Sequence, residues 1–261
     1  MTLEIVVAAL LGLLFGSFLN VCIHRLPRDL SVVWPGSHCL HCRHAISPRD
    51  NIPVLSFFLL GGRCRHCRGT IHWRYPVVEA LTGALFGVGV WWWGPTPQAA
   101  KFALFAFLLV GMIFADLETR LLPDEFTKGG IIVGLVISLL VPIKSALMAV
   151  FLPRKFAPFV SLTEAAVAAA LVSGAFWGIA FIHGKVRDKE VLGFGDVKMV
   201  AMIGAFLGIA PTLMTVTLGC VGGSVLGLAY IYLTKKDFST YELPFGSFLG
   251  VSALMVALWN R

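Results

Sequence analysis

Charge is scarce in this sequence. Only 13% of its 261 residues are Asp, Glu, Lys or Arg, 57% are hydrophobic, and the mean hydropathy is +0.84. An ordinary soluble domain carries about 25% charged residues, so a soluble globular fold is excluded and a polytopic membrane protein is expected. A basic segment ahead of the first apolar run is also missing. Only Glu4 stands there, and no small-residue cleavage pattern precedes His24 and Arg25, which excludes a secretory signal peptide and makes this run a first membrane helix. The chain has no glycine-rich dinucleotide loop and no long internal repeat. One pentapeptide, Phe-Gly-Ser-Phe-Leu, occurs at 15–19 and again at 245–249, which we read as coincidence in a chain with 27 Gly and 20 Phe.

A helix needs about 20 apolar residues to cross the hydrocarbon. The apolar runs predict an all-α membrane protein of about eight spans, near 2–23, 75–93, 100–115, 129–151, 163–183, 197–211, 212–233 and 244–260. The uncharged stretch 199–233 is too long for one helix. We place a break near Gly208-Ile209-Ala210-Pro211, because proline removes a backbone donor and favours a turn, which leaves the sixth span short. Pairs of small residues four apart, at Gly12/Gly16, Gly83/Gly87, Gly130/Gly134, Gly174/Gly178, Gly204/Gly208 and Gly223/Gly227, predict close helix seams.

Positive charge follows the first span, which places the N-terminus outside and the next loop in the cytoplasm. Alternating from there puts most of the 21 basic residues inside; Lys101, Lys144, Arg154, Lys155 and Arg261 fall outside. This loop bias accounts for the net charge of +7, so membrane lipids and not nucleic acid are the expected surroundings. The division expected is a first helix at 1–23, a polar cytoplasmic module at 24–74 and a membrane domain of about seven helices at 75–261.

The module holds Cys39-Leu-His-Cys42 and Cys64-Arg-His-Cys67, with 21 residues between them. Two such knuckles present four thiolates, enough to close a tetrahedral zinc shell with no open catalytic position. A pair of disulfides does not suit a reducing cytoplasmic loop, and no thioredoxin-like unit surrounds either Cys-x-x-Cys. His38, His41, His44, His66 and His72 are left as solvated or outer-shell groups. Cys22 and Cys220 are expected to be buried small residues within spans.

Ionisable groups beside apolar runs are functional candidates. Asp116 closes the third run, and Glu118, Asp124 and Glu125 follow it; after Pro123, Asp124 is placed to cap the fourth span. Asp196 follows Gly193-Phe-Gly195 and precedes Lys198. It is either a helix cap or half of an aspartate pair with Asp116 that shares a proton and activates water. Gly193 and Gly195 permit unusual dihedrals and close backbone approach, as a site admitting an extended peptide requires. Glu79 sits near the start of the second span, either as an acid favoured at a helix N-terminus or facing a cytoplasmic polar pocket.

Together these residues resemble the type IV prepilin peptidases over nearly the whole chain. The opening Gly16-Ser-Phe-Leu-Asn-Val-Cys-Ile-His-Arg-Leu-Pro27 is similar to the family's first motif. The twin cysteine module follows, with Asp50-Asn-Ile-Pro-Val-Leu-Ser56 inside it and Arg74-Tyr-Pro-Val-Val-Glu79 after it. Asp116 with Leu122-Pro123-Asp124, then Gly193 to Lys198, resemble the two aspartate motifs, and Leu243-Pro-Phe-Gly-Ser-Phe248 the closing one. The resemblance implies that Asp116 and Asp196 cut the basic leader from prepilins or pseudopilins after a glycine, at the cytoplasmic face of a bacterial inner membrane. It further implies N-methylation of the new terminus with S-adenosylmethionine in the N-terminal half, where Asn20, Arg25 and Glu79 are our candidates. One departure is Cys39-Leu-His-Cys42, where the family often has proline after the first cysteine; the turn is expected to change without loss of zinc. Outside this family, a zinc-bearing transporter or scaffold fits the composition, and so does a peptidase that cleaves without methylating.

Overall fold

The computed structural model describes residues 1–143, 147, 150, 157–187, 193–234 and 244–260. Lys144, Arg154, Lys155, Lys189, Lys235, Lys236, Leu243 and Arg261, which entered the topology and motif expectations, lie outside the described residues. Among those described there is no strand. The helices are α1 Thr2–Arg25, α2 Leu55–Leu59, α3 Arg74–Trp93, α4 Pro97–Thr119, α5 Asp124–Leu140, α6 Ala157–Arg187, α7 Phe194–Leu207, α8 Ile209–Thr234 and α9 Phe245–Trp259. They divide into two compact units, Met1–Phe114 and Ala115–Arg261.

Among the described residues, four segments are long and apolar enough to cross a membrane: Thr2–Arg28, Pro97–Thr119, Ala157–Ile182 and Ile209–Thr234. They match the first, third, fifth and seventh expected spans. The others fall on α3, α5, α7 and α9, with 20, 17, 14 and 15 residues. At about 1.5 Å per residue, the three shortest reach about 21–26 Å against about 30 Å of hydrocarbon.

In the first unit, α1 and α3 are pressed together by glycine. A Cβ at Gly12 would stand 2.7 Å from the Thr82 carbonyl oxygen, and one at Gly16 would stand 2.7 Å from Glu79 Cα. Side chains there would force the backbones apart, so this seam is dictated by residue size. Asn20 fastens it by donating to the Gly16 and Tyr75 carbonyls at 3.3 and 3.0 Å. The opposite face of α1 exposes Leu3, Val6, Val7, Leu10 and Leu14, as a lipid-facing surface would.

In the second unit, Gly134 meets Phe206 and Ala205, and Gly204 meets the Ala168 backbone. Among the described residues, nothing stands within 4 Å of a Cβ at Gly174 or Gly178, so the seam expected there is not formed by them. Four-residue spacing puts small residues on one helix face without saying what that face touches. Cys220 also departs from expectation. It is exposed, whereas Cys22 is buried.

The break in 199–233 falls at Gly208, with φ +85°, and Pro211 lies within the first turn of α8. The left-handed glycine makes the turn, while the proline occupies a position that needs no intrahelical donor. A buried acid completes it: Glu164 of α6, 1% exposed, accepts the Ile209 N–H at Oε1, 3.0 Å. Glu164→Ala is expected to cost about 1–3 kcal/mol by orphaning that buried donor, seen as a lower unfolding temperature in detergent. Glu164→Gln keeps an acceptor and is expected to lose less.

Candidate active site and metal centre

The cysteine module lies in the first unit, and its two knuckles have the same backbone. Cys39 N–H donates to His44 O and Arg43 N–H to Cys39 O, both at 2.9 Å; Cys64 N–H donates to Gly69 O at 2.8 Å and Arg68 N–H to Cys64 O at 3.0 Å. Arg43 and Arg68 close the two turns at φ +58° and +59°. The turn of the first knuckle, where proline is lacking, therefore matches that of the second.

The four Sγ atoms lie within 4.8 Å of one another, with Cys39 and Cys67 at 3.8 Å. Four zinc–sulfur bonds of about 2.3 Å place tetrahedral sulfurs about 3.8 Å apart, so this donor set fits zinc. Backbone N–H groups of Cys67 and His66 directed at the Cys64 sulfur lower its pKa to about 6, which favours the thiolate a metal needs. Arg65 grips Asp50 with two N–H groups at 2.6–3.1 Å. That pairing holds the Asp50 carboxyl below its usual range and ties the second knuckle to the intervening loop. Cys39→Ser is expected to reduce bound zinc from about one ion per chain to a small fraction, measured by elemental analysis; unchanged zinc would remove this assignment.

Between the module and the α1–α3 seam, the first unit forms an open cavity of about 610 Å³, lined by Cys39 and Cys64 of the module and by Ser17, Asn20, Tyr75 and Glu79 of the seam. This is in the range of small-molecule sites. Glu79 lies in the second turn of α3 and is 8% exposed. Its Oε2 accepts the Val54 N–H at 2.6 Å, so it faces a pocket and is not a simple helix-terminal acid. Arg25 donates to the Ser31 and Gly36 carbonyls and holds the loop after α1. Asn20 Oδ1 is buried without a partner. An orphaned acceptor in a lined cavity suits a ligand that carries N–H groups, as the adenine and amino-acid ends of S-adenosylmethionine do.

The two aspartates lie in the second unit. Asp116 occupies the last turns of α4, and Arg120, at φ +56°, follows that helix's end. Its side chain is 5% exposed, and its Oδ2 accepts the Ser247 N–H at 2.7 Å and the Ser247 hydroxyl at 2.8 Å. Asp196 is the third residue of α7, whose N-cap is Gly193 with no side-chain cap bond, so the carboxylate does not cap the helix. The two meet at Gly246: a Cβ built there would lie 3.2 Å from Asp116 Oδ2 and 3.2 Å from Asp196 Oδ1.

Gly193 has φ −67° and Gly195 is not among the positive-φ residues, which corrects the expectation of unusual dihedrals. What Gly195 provides is room, since its Cβ would press on Leu122 at 3.2 Å. Asp124 is corrected too. The fourth-span helix is capped by Pro123, while the Asp124 carboxylate pairs with Lys128 at 2.7 Å and with Lys198. Those two ammonium groups hold it below the usual carboxylate range.

Gly246 and Ser247 received no role from sequence, although the signal was present in the repeated pentapeptide. Its first copy sets Gly16 against the Glu79 backbone and places Ser17, like Glu79, on the wall of the cavity. Its second copy sets Gly246 against Asp116 and Asp196, and Ser247 bonds Asp116. In both places glycine admits a close approach, of the α3 backbone in the first unit and of two carboxylates in the second.

Comparison with known proteins identifies the family. The description "Bacterial Peptidase A24 N-terminal domain" matches residues 10–93, and "Type IV leader peptidase family" matches residues 102–228. The prepilin leader peptidase/N-methyltransferase of Stutzerimonas stutzeri is 33% identical over 97% of this chain and 90% of its own length. Its namesakes in Pseudomonas aeruginosa and Burkholderia pseudomallei strain 1026b are 32% and 34% identical, over 96% and 95% of this chain and 89% and 82% of theirs. No solved structure matches. From its matched residues and these near full-length relatives, the chain belongs to the type IV leader peptidase family.

Proposed function

We propose that this protein is a bifunctional membrane enzyme: it cuts the basic leader from type IV prepilins or pseudopilins after a glycine and N-methylates the new terminal residue. The observation that carries the cleavage reading is the meeting of Asp116 and Asp196 at Gly246. One carboxylate takes a proton from water as the other, protonated, polarises the scissile carbonyl; as the intermediate collapses, a proton passes to the leaving amine. Asp116 suits the ionised role, because Ser247 directs two donors at one of its oxygens. No donor among the described residues reaches Asp196, which leaves it to carry the shared proton. Gly193 leaves the approach to the Asp196 carboxylate free of bulk for an extended peptide, while Gly195 lets Leu122 pack against the start of α7. Lys198 and Asp124, joined as an ion pair, support that segment against α5.

The membrane domain at 75–261 performs cleavage from the cytoplasmic side of the bacterial inner membrane, with the N-terminus outside and the substrate's apolar helix among lipids. The module at 24–74 holds structural zinc through Cys39, Cys42, Cys64 and Cys67. The adjoining cavity takes S-adenosylmethionine, which supplies an electrophilic methyl group, and Asn20, Arg25 and Glu79 shape its wall. The test is mass spectrometry of a prepilin incubated with purified enzyme and S-adenosylmethionine in lipid. A product shortened by its leader and heavier by one methyl is expected. A shortened, unmethylated product would reduce the reading to a peptidase, and no cut would remove it.

A further inference from the structure

We infer that Glu79 and Asn20 form a receptor for a primary ammonium group, that of the freshly cut substrate's N-terminus, and that Glu79 takes its proton. This rests on the methyl-transfer reading above. A terminal amine leaves a protease as an ammonium at neutral pH and has no lone pair for methylation until one proton is removed.

Glu79 is the carboxylate built for that task. It is nearly buried, lines the cavity, and is oriented by the Val54 N–H. Asn20 supplies the second acceptor. Its nitrogen is identified by the two carbonyls it donates to, so the remaining atom is an oxygen, buried and unpartnered. Tyr75, whose carbonyl Asn20 grips, lies one helical turn before Glu79, and Ser17 lies one turn before Asn20. Both acceptors therefore lie along one stretch of the α1–α3 seam. An ammonium can give one N–H to each and direct the third bond at the cavity.

The cofactor's amino-acid end carries the same ammonium beside a carboxylate, and that carboxylate would need a cation. The arginines lining the cavity are engaged, Arg25 with Ser31 and Gly36 carbonyls and Arg65 with Asp50. In the step itself one N–H bond breaks, its pair stays on nitrogen, and the proton forms a bond to a Glu79 oxygen, to be released to water after turnover.

The test measures binding without cofactor. A peptide with the mature substrate's N-terminus is expected to bind wild-type protein at least about tenfold more tightly with a free amine than N-acetylated. Glu79→Gln is expected to erase this preference, with zinc content and leader cleavage by the same sample reporting that the protein is folded. Ser17→Ala, a milder change, is expected to weaken the preference without erasing it. With cofactor present, wild-type methylation is expected to vary little between about pH 7 and 9, while in Glu79→Gln it climbs as the amine deprotonates in solution. Equal binding of free and acetylated peptides to wild type overturns the proposal. So does a preference retained in both variants, or a loss in Glu79→Gln confined to binding of S-adenosylhomocysteine. If wild type shows the preference but never methylates, the methyl-transfer reading fails while the ammonium receptor stands.

Discussion

Asp196→Asn is expected to leave a folded, membrane-inserted protein that no longer removes leader peptides, with a loss of about 10⁴-fold or more. Asp116→Asn is expected to do the same, and the double variant to be little worse than either, because the two act on one water as a unit. The substitution is close to isosteric, and Asp196 makes no side-chain hydrogen bond among the described residues, so its loss leaves no orphaned partner. Asn at 196 has no carboxylic proton to offer the scissile carbonyl, and Asn at 116 cannot accept the proton that the water must lose. Mass spectrometry of the product separates a dead site from an absent protein when zinc content is measured on the same sample. Cleavage within tenfold of wild type by either single variant would sink the pair mechanism.

Gly246→Ala should cut leader removal by about 10²-fold, an effect of position and not of chemistry. Its added methyl would press on Asp116 Cγ and Oδ2 and on Asp196 Oδ1, each at 3.2 Å. Asp116 cannot yield freely, since the adjoining Ser247 holds it by backbone and hydroxyl together. The carboxylates must therefore separate or tilt, and the water between them loses its geometry. Gly222→Ala is the control. A Cβ there meets nothing within 4 Å, and full activity is expected. If the two variants behaved alike, close approach at Gly246 would have no part in catalysis.

Some of this was legible in the chain because it depends on composition and local spacing. Low charge and long apolar runs require a membrane, since such segments cannot stay in water. Two Cys-x-x-Cys turns bring thiols together within a few residues, so the metal site could be read before any fold was known. The helix break between 199 and 233 could be located to a few residues, although sequence credited Pro211 and the turn belongs to Gly208. Asp124 illustrates the opposite case. Its position after proline suits a cap, but a lysine 74 residues away engages it.

The sequence by itself determined a helical membrane protein with a four-thiolate module and two acids at the ends of apolar runs. Asp116 and Asp196 were already paired by their motifs; what tertiary structure alone decided is what surrounds them. A glycine in α9 brings both carboxylates to one point, and a backbone N–H from the cysteine module holds Glu79 at a cavity wall. The reason is physical: apolar periodicity says only that a helix face is buried. Which glycine admits which carboxylate depends on helix contacts between residues far apart in the chain, and no local pattern encodes that distance.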